Sequence, residues 1–93
     1  MLVAGRTESR LLPVVETIRH AGGSATAIVT DTTREDHVLR LFDSAERELG
    51  AVPELVAYNA GNNRFFDFRK TEVSLFEDMW RVGCLGGFLV GRE

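Results

Sequence analysis

Three short apolar runs punctuate the chain: Leu2-Val3-Ala4, the ATAIVT stretch from Ala25 to Thr30, and the LVAY stretch from Leu55 to Tyr58. Each is separated from the next by a longer segment of helical period, and this alternation limits the possible folds most sharply. Strands buried on both faces read as continuous apolar, β-branched runs rather than as alternating ones. A helix-length connection between such strands implies a parallel pairing reached by a right-handed crossover. In the first connection Leu11, Val14, Val15 and Ile18 recur three and four apart. Pro13 predicts that this helix starts just before it, because proline suits only the first turn. Gly22-Gly23 ends it, with His20 at the negative end of the dipole.

Thr33-Arg34-Glu35-Asp36 reads as a threonine cap with an acid at the third helical position. Val38, Leu41, Phe42, Ala45 and Leu49 follow at helical spacing, and Gly50 is the expected stop. Pro53 resets the chain before Leu55–Tyr58. Beyond a loop rich in Phe and Arg, Ser74 and Glu77 form a second capping box. Phe76, Met79, Trp80, Val82, Leu89 and Val90 then predict a helix running to residue 93. The order β-α-β-α-β-loop-α gives an α/β class, an open parallel sheet of three strands with three helices.

Composition narrows the function classes. The 93 residues are 44% hydrophobic and 27% charged, ordinary for a globular chain. The net charge of −3, with signs interspersed, gives no footprint for a nucleic-acid backbone and no polybasic membrane patch. No apolar run has the length of a membrane span, and MLVAGRTESR lacks the pattern of a signal peptide. The single Cys84 excludes an intrachain disulfide and fits a reducing compartment, so the expected location is cytoplasmic. His20 and His37 have no Cys or acid at ligand spacing, and no metal is expected.

In an open parallel sheet, ligands bind outside the carboxyl ends of the strands. Those ends are Gly5-Arg6-Thr7, Asp31-Thr32 and Asn59-Ala60-Gly61, and their chemistry suits a nucleotide. Arg6 either offers a planar cation for a phosphate or is simply a solvated residue at a strand end. Asp31 can accept from an exocyclic amine or serve only as a turn residue. Ala60 and Gly61 let a flat ring or sugar lie against the backbone, while Asn59 either contacts a ligand or satisfies neighbouring backbone groups. Phe65, Phe66 and Phe68, interleaved with Arg64, Arg69 and Lys70, read as a loop packed against the substrate side of the sheet. Met79 and Trp80 read as core or interface.

With these features the chain resembles the short-chain dehydrogenase/reductase family of Rossmann-type oxidoreductases. The resembling residues are Gly5-Arg6, the IVTDTT of the next strand end, the YNAG of Tyr58–Gly61 and FEDMWRVGCLGGFLV in the last helix. The family form of the third motif is Asn-Asn-Ala-Gly, so Tyr58 replaces its first Asn. The resemblance implies a dinucleotide bed of Arg6, Thr7, Asp31, Thr32, Asn59, Ala60 and Gly61. Arg6 would pair with the 2′-phosphate of NADP rather than NAD, and Asp31 would lie near the adenine amino group. It also implies a small-molecule alcohol or carbonyl substrate and a homo-oligomer formed through the last helix.

The same resemblance implies that 1–93 is a single partial domain, the middle of a dehydrogenase. The family's first strand with its Gly-rich phosphate turn would precede Met1, and the catalytic Ser and Tyr-x-x-x-Lys would lie beyond Glu93. Tyr58 is followed four residues on by Asn62, not Lys, and Gly83 stands where the family has a catalytic Asn. No catalytic residue is therefore expected within these residues, and the isolated chain is expected to be inactive. The alternative is a non-catalytic Rossmann-like module that binds or associates.

Overall fold

The computed structural model describes residues 1–61 and 64–93. Strand β1 (Leu2–Gly5) leads through helix α1 (Glu8–His20) to strand β2 (Thr26–Val29) and helix α2 (Glu35–Leu49). The two strands are parallel, paired from Leu2 with Thr26 to Gly5 with Val29. The pairing extends at both ends: Thr26 N–H donates to the Met1 carbonyl (3.0 Å) and Thr30 N–H to that of Gly5 (2.8 Å). This register sets Arg6 opposite Thr30, with Asp31 one residue further along, at the carboxyl end of both strands.

α1 buries Leu11 and Val15 and leaves Val14 in solvent. It starts five residues ahead of Pro13, not beside it as the sequence predicts. Pro13 faces solvent, so the ring forfeits one helical bond without burying an orphaned group. The helix ends as expected. Gly22 takes φ 85°, and Gly22 and Gly23 N–H groups donate to Arg19 (2.9 Å) and Ile18 (2.9 Å), a Schellman closure. Gly50 ends α2 in the same left-handed region, φ 69°, with its N–H on Glu46 (2.8 Å). At the other end of α2 the N-cap is Arg34, not Thr33. Thr33 is drawn instead to the Asp31 carboxylate, so the expected capping box does not form.

The sequence predicts a third strand, and the described residues contain two. Leu55–Tyr58 runs outside any ladder, with Leu55 86% exposed. A strand needs a neighbour about 4.8 Å away. Leu55–Asn59 instead stands across an open cleft from Leu2, Ala4 and Gly5. The phenylalanine loop also departs from expectation. Phe65, Phe66 and Phe68 are exposed rather than packed on the sheet, and Asp67 caps a single 3₁₀ turn, Phe68–Lys70.

The final apolar segment is helical from residue 73 to 92 but is not one α-helix. Helix α3 (Val73–Trp80) passes through a π-turn, Arg81–Leu85, into helix α4 (Gly86–Arg92). Its N-cap is Glu72, whose carbonyl accepts from Phe76 N–H (3.1 Å), so Ser74 and Glu77 lie inside the helix and form no capping box. Leu89 and Val90 join Val38 of α2 in the core, with Phe42, Tyr58 and Leu85 packed around them. Arg92 donates to Glu35 (2.6 Å) and ties the end of α4 to the start of α2.

Candidate functional site

A cleft of about 560 Å³ runs along β1, between it and Leu55–Asn59, over Leu41, Phe42 and Ala45 of α2, and reaches the edge where β1 and β2 end. Arg6, Asp31, Thr32, Asn59, Ala60 and Gly61 all line it, together with Thr30, Tyr58 and Val82. Six of the seven residues expected from the sequence therefore meet in one place. Thr7 is the exception: it is the N-cap of α1, where its carbonyl accepts from Arg10 N–H (3.0 Å).

Asp31 has two tasks on one side chain. Its Oδ1 accepts from Thr33 N–H (3.0 Å) and from the Thr33 hydroxyl (2.7 Å). These bonds hold the carboxyl below the ordinary aspartate range; Arg6 and His37 add to the effect, and partial burial opposes it. The group is thus ionised at neutral pH. Oδ2 has no hydrogen-bond partner among the described residues, and it is the oxygen that remains for a ligand.

Arg6 is exposed and makes no hydrogen bond or ion pair with a described residue. It supplies an uncommitted guanidinium at the cleft mouth. Its predecessor Gly5 packs close to α1: a Cβ there would lie 3.0 Å from Leu11 Cδ2, so that side chain would have to give by a few tenths of an ångström. Across the cleft, Asn59, Ala60 and Gly61 are exposed, and nothing lies within 4 Å of a Cβ placed on Gly61. The small residues leave a bare backbone floor, and Asn59 has no side-chain partner among the described residues. An anionic, flat-ringed molecule fits this set: a cation at one end, an acceptor beside it, an unobstructed wall opposite.

Sequence reasoning missed three residues that build the site. His37 accepts the Asp31 backbone N–H at Nδ1 (3.2 Å), fixing the turn that carries the carboxylate. Its position six residues beyond Asp31, in the first turn of α2, is the signal. Tyr58 donates its hydroxyl proton to the Val82 carbonyl and lies 3.3 Å from the Thr32 hydroxyl. A half-buried tyrosine hydroxyl needs such a partner. Gly86 is buried against both. Gly83, by contrast, faces open space: a Cβ added there would meet nothing within 4 Å.

The fold and cleft are those of a Rossmann-like α/β protein. The family model for short chain dehydrogenase matches residues 1–93, and the chain belongs to that family. Versicolorin reductase 1 of Dothistroma septosporum is 35% identical over 80 residues, which cover 86% of this chain and 30% of that protein. Among solved structures, a short-chain type dehydrogenase/reductase from Mycobacterium marinum superposes with a TM-score of 0.91 at 27% identity, covering 98% of this chain and 36% of its own. An alcohol dehydrogenase from Thermococcus sibiricus, complexed with 5-hydroxy-NADP, shares the fold at a TM-score of 0.87 and 21% identity, with coverages of 98% and 39%. The chain thus spans about a third of the length of the relatives it matches.

Proposed function

We propose that these residues form the adenosine-binding side of an NADP(H)-dependent oxidoreductase acting on an alcohol or carbonyl of a small molecule. The observation that carries this reading is the uncommitted Arg6 guanidinium beside the ionised Asp31, at the shared end of two parallel strands. Arg6 would hold the 2′-phosphate by a charge-assisted contact. Asp31 Oδ2 and Thr32 would meet the adenine edge, and Asn59-Ala60-Gly61 would floor the ribose. The bound dinucleotide supplies or accepts the hydride. Membership of a reductase-containing family supports the reaction class.

The family's Tyr-x-x-x-Lys pattern does not occur in the sequence, and Gly83 would stand at the family's catalytic Asn position. The 93 residues by themselves are therefore read as catalytically silent. The test pairs two preparations: the isolated chain, and a chimera in which this chain, carrying Gly83→Asn, replaces the matching segment of the Dothistroma reductase. NADPH oxidation by the chimera with that enzyme's carbonyl substrate, and none by the isolated chain above a no-enzyme control, is the expected result. Turnover by the isolated chain would overturn the reading of its parts. A folded chimera that binds neither dinucleotide would overturn the reading of the cleft. The alternative, a non-catalytic associating module, draws on the solvent-facing Phe76, Trp80 and Phe88, and a chimera inactive but still dinucleotide-free and oligomeric would favour it.

A further inference from the structure

We infer that Tyr58 is a positioning residue that sets the π-turn of the last helix and couples it to the dinucleotide edge, with Gly86 as the clearance that admits the phenol. The helix supplies the first half of the reasoning. In a continuous α-helix, Gly86 N–H would bond to the Val82 carbonyl. Here it bonds instead to Arg81, one residue further back, so Val82 loses its α-helical donor. The Tyr58 hydroxyl donates to that carbonyl. Single π-turns are rare and persist where something specific satisfies the displaced groups. In this helix the specific group is a side chain from the Leu55–Tyr58 segment.

The second half comes from what surrounds the phenol. Its one proton is committed to Val82, so the Thr32 hydroxyl, 3.3 Å away, donates to the phenol oxygen. Gly86 has ordinary helical angles, φ −62° and ψ −41°, so its need for glycine is steric rather than conformational. A Cβ there would fall 3.0 Å from Thr32 Oγ1, 3.2 Å from the Thr32 carbonyl, and directly against the Tyr58 hydroxyl. A Cβ added at Gly87 would lie 3.7 Å from Tyr58 Cε1, an ordinary van der Waals contact, so the steric demand for glycine falls on Gly86. Gly83 and Gly91 in the same helical segment have nothing near them, which singles out the two glycines that face Tyr58.

Thr32 follows Asp31, and Tyr58 precedes Asn59-Ala60-Gly61. The Thr32–Tyr58–Val82 chain of hydrogen bonds therefore joins both walls of the cleft to the last helix, so that a shift of one is a shift of all three. The functional weight of that coupling rests on the dinucleotide reading above. The lock itself does not, because it is read on the ligand-free protein.

Backbone amide exchange, Cys84 alkylation and urea unfolding on this chain test it. Tyr58→Phe keeps the ring and removes only the hydroxyl. The expected result is exchange at residues 82–87 at least about tenfold faster, with Cys84, inside the turn, alkylated at a changed rate, while α1 and its amides stay as they were. Gly86→Ala should weaken the native protein strongly beside Tyr58 and markedly less in the Tyr58→Phe background, whereas Gly91→Ala should cost little in either. If Gly86→Ala alone fails to fold, recovery of folding in the double variant is itself the supporting outcome. Exchange at 82–87 unchanged within twofold in Tyr58→Phe, or strictly additive effects of the two substitutions, would overturn the proposal.

Discussion

Replacing Leu89 by alanine removes three carbons from the contact between the last helix and α2. Leu89 is 6% exposed and packs with Val38, itself 1% exposed, and Val90. At about 0.8 kcal/mol per buried methylene the transfer loss is roughly 2.4 kcal/mol. The unfilled space adds to it, so about 3 kcal/mol is expected, within the range of about 2–5 seen for buried Leu→Ala changes. At about 0.05–0.15 kcal/mol per residue, a chain of this size has about 5–14 kcal/mol in total, so one side chain carries a large share. Phe88, the preceding residue, is the internal control: it is larger but 59% exposed, and Phe88→Ala should cost under about 0.5 kcal/mol. Urea unfolding followed by far-UV circular dichroism reads both. With an m-value of about 1.5 kcal/mol/M, Leu89→Ala should lower the midpoint by about 2 M and Phe88→Ala by under about 0.4 M. Equal shifts, or a larger one for Phe88, would refute the assignment of the buried face.

Other outcomes follow from the same geometry. Asp31 has a folded-state pKa below its unfolded one, so its contribution is present above the unfolded value and disappears as pH falls through the folded one. The urea-midpoint gap between the parent chain and Asp31→Asn should therefore be full at pH 7 and shrink from about pH 4 downward; a gap equal at pH 7 and pH 3 contradicts it. Trp80→Lys should raise the soluble monomer fraction in light scattering across a dilution series, because Phe76, Trp80 and Phe88 leave an apolar face in solvent. A parent chain that is monomeric at high micromolar concentration would contradict that. Arg92→Ala, which breaks an exposed pair with Glu35, should cost under about 1 kcal/mol and lose its effect in high salt.

Much of the fold was legible because it depends on local signals. The spacing of Leu11, Val15, Val38 and Ala45 marks the buried helix faces, and Gly22 and Gly50 mark the stops, since a left-handed φ is written into the residue type. What depends on a partner was not legible. Leu55–Tyr58 has the composition of a central strand, but a ladder needs a neighbour, and β1 lies across a cleft from it. Thr33 has the chemistry of a cap, yet the Asp31 carboxylate two residues earlier competes for its hydroxyl and takes it. The π-turn leaves no trace in periodicity because its cause, Tyr58, lies 24 residues before Val82. The candidate site follows the same division. Parallel strands must end at a common edge, which foretold the meeting of Arg6 and Asp31; Asn59 reaches the same cleft without the strand expected to carry it, and Thr7, drawn into the α1 cap, was placed by sequence adjacency alone.

The most direct measurement is the ratio of kcat/KM for NADPH over NADH in the folded chimera, with and without Arg6→Asp. One charge-assisted contact to the 2′-phosphate is worth about 1.5–3 kcal/mol, so the substitution should lower that ratio by at least about tenfold. It should do so while the value for NADH holds or rises, because a carboxylate at this strand end can accept from the ribose hydroxyls. A ratio unchanged by Arg6→Asp would contradict the assignment of this strand end to the cofactor phosphate and leave Arg6 a solvated surface residue.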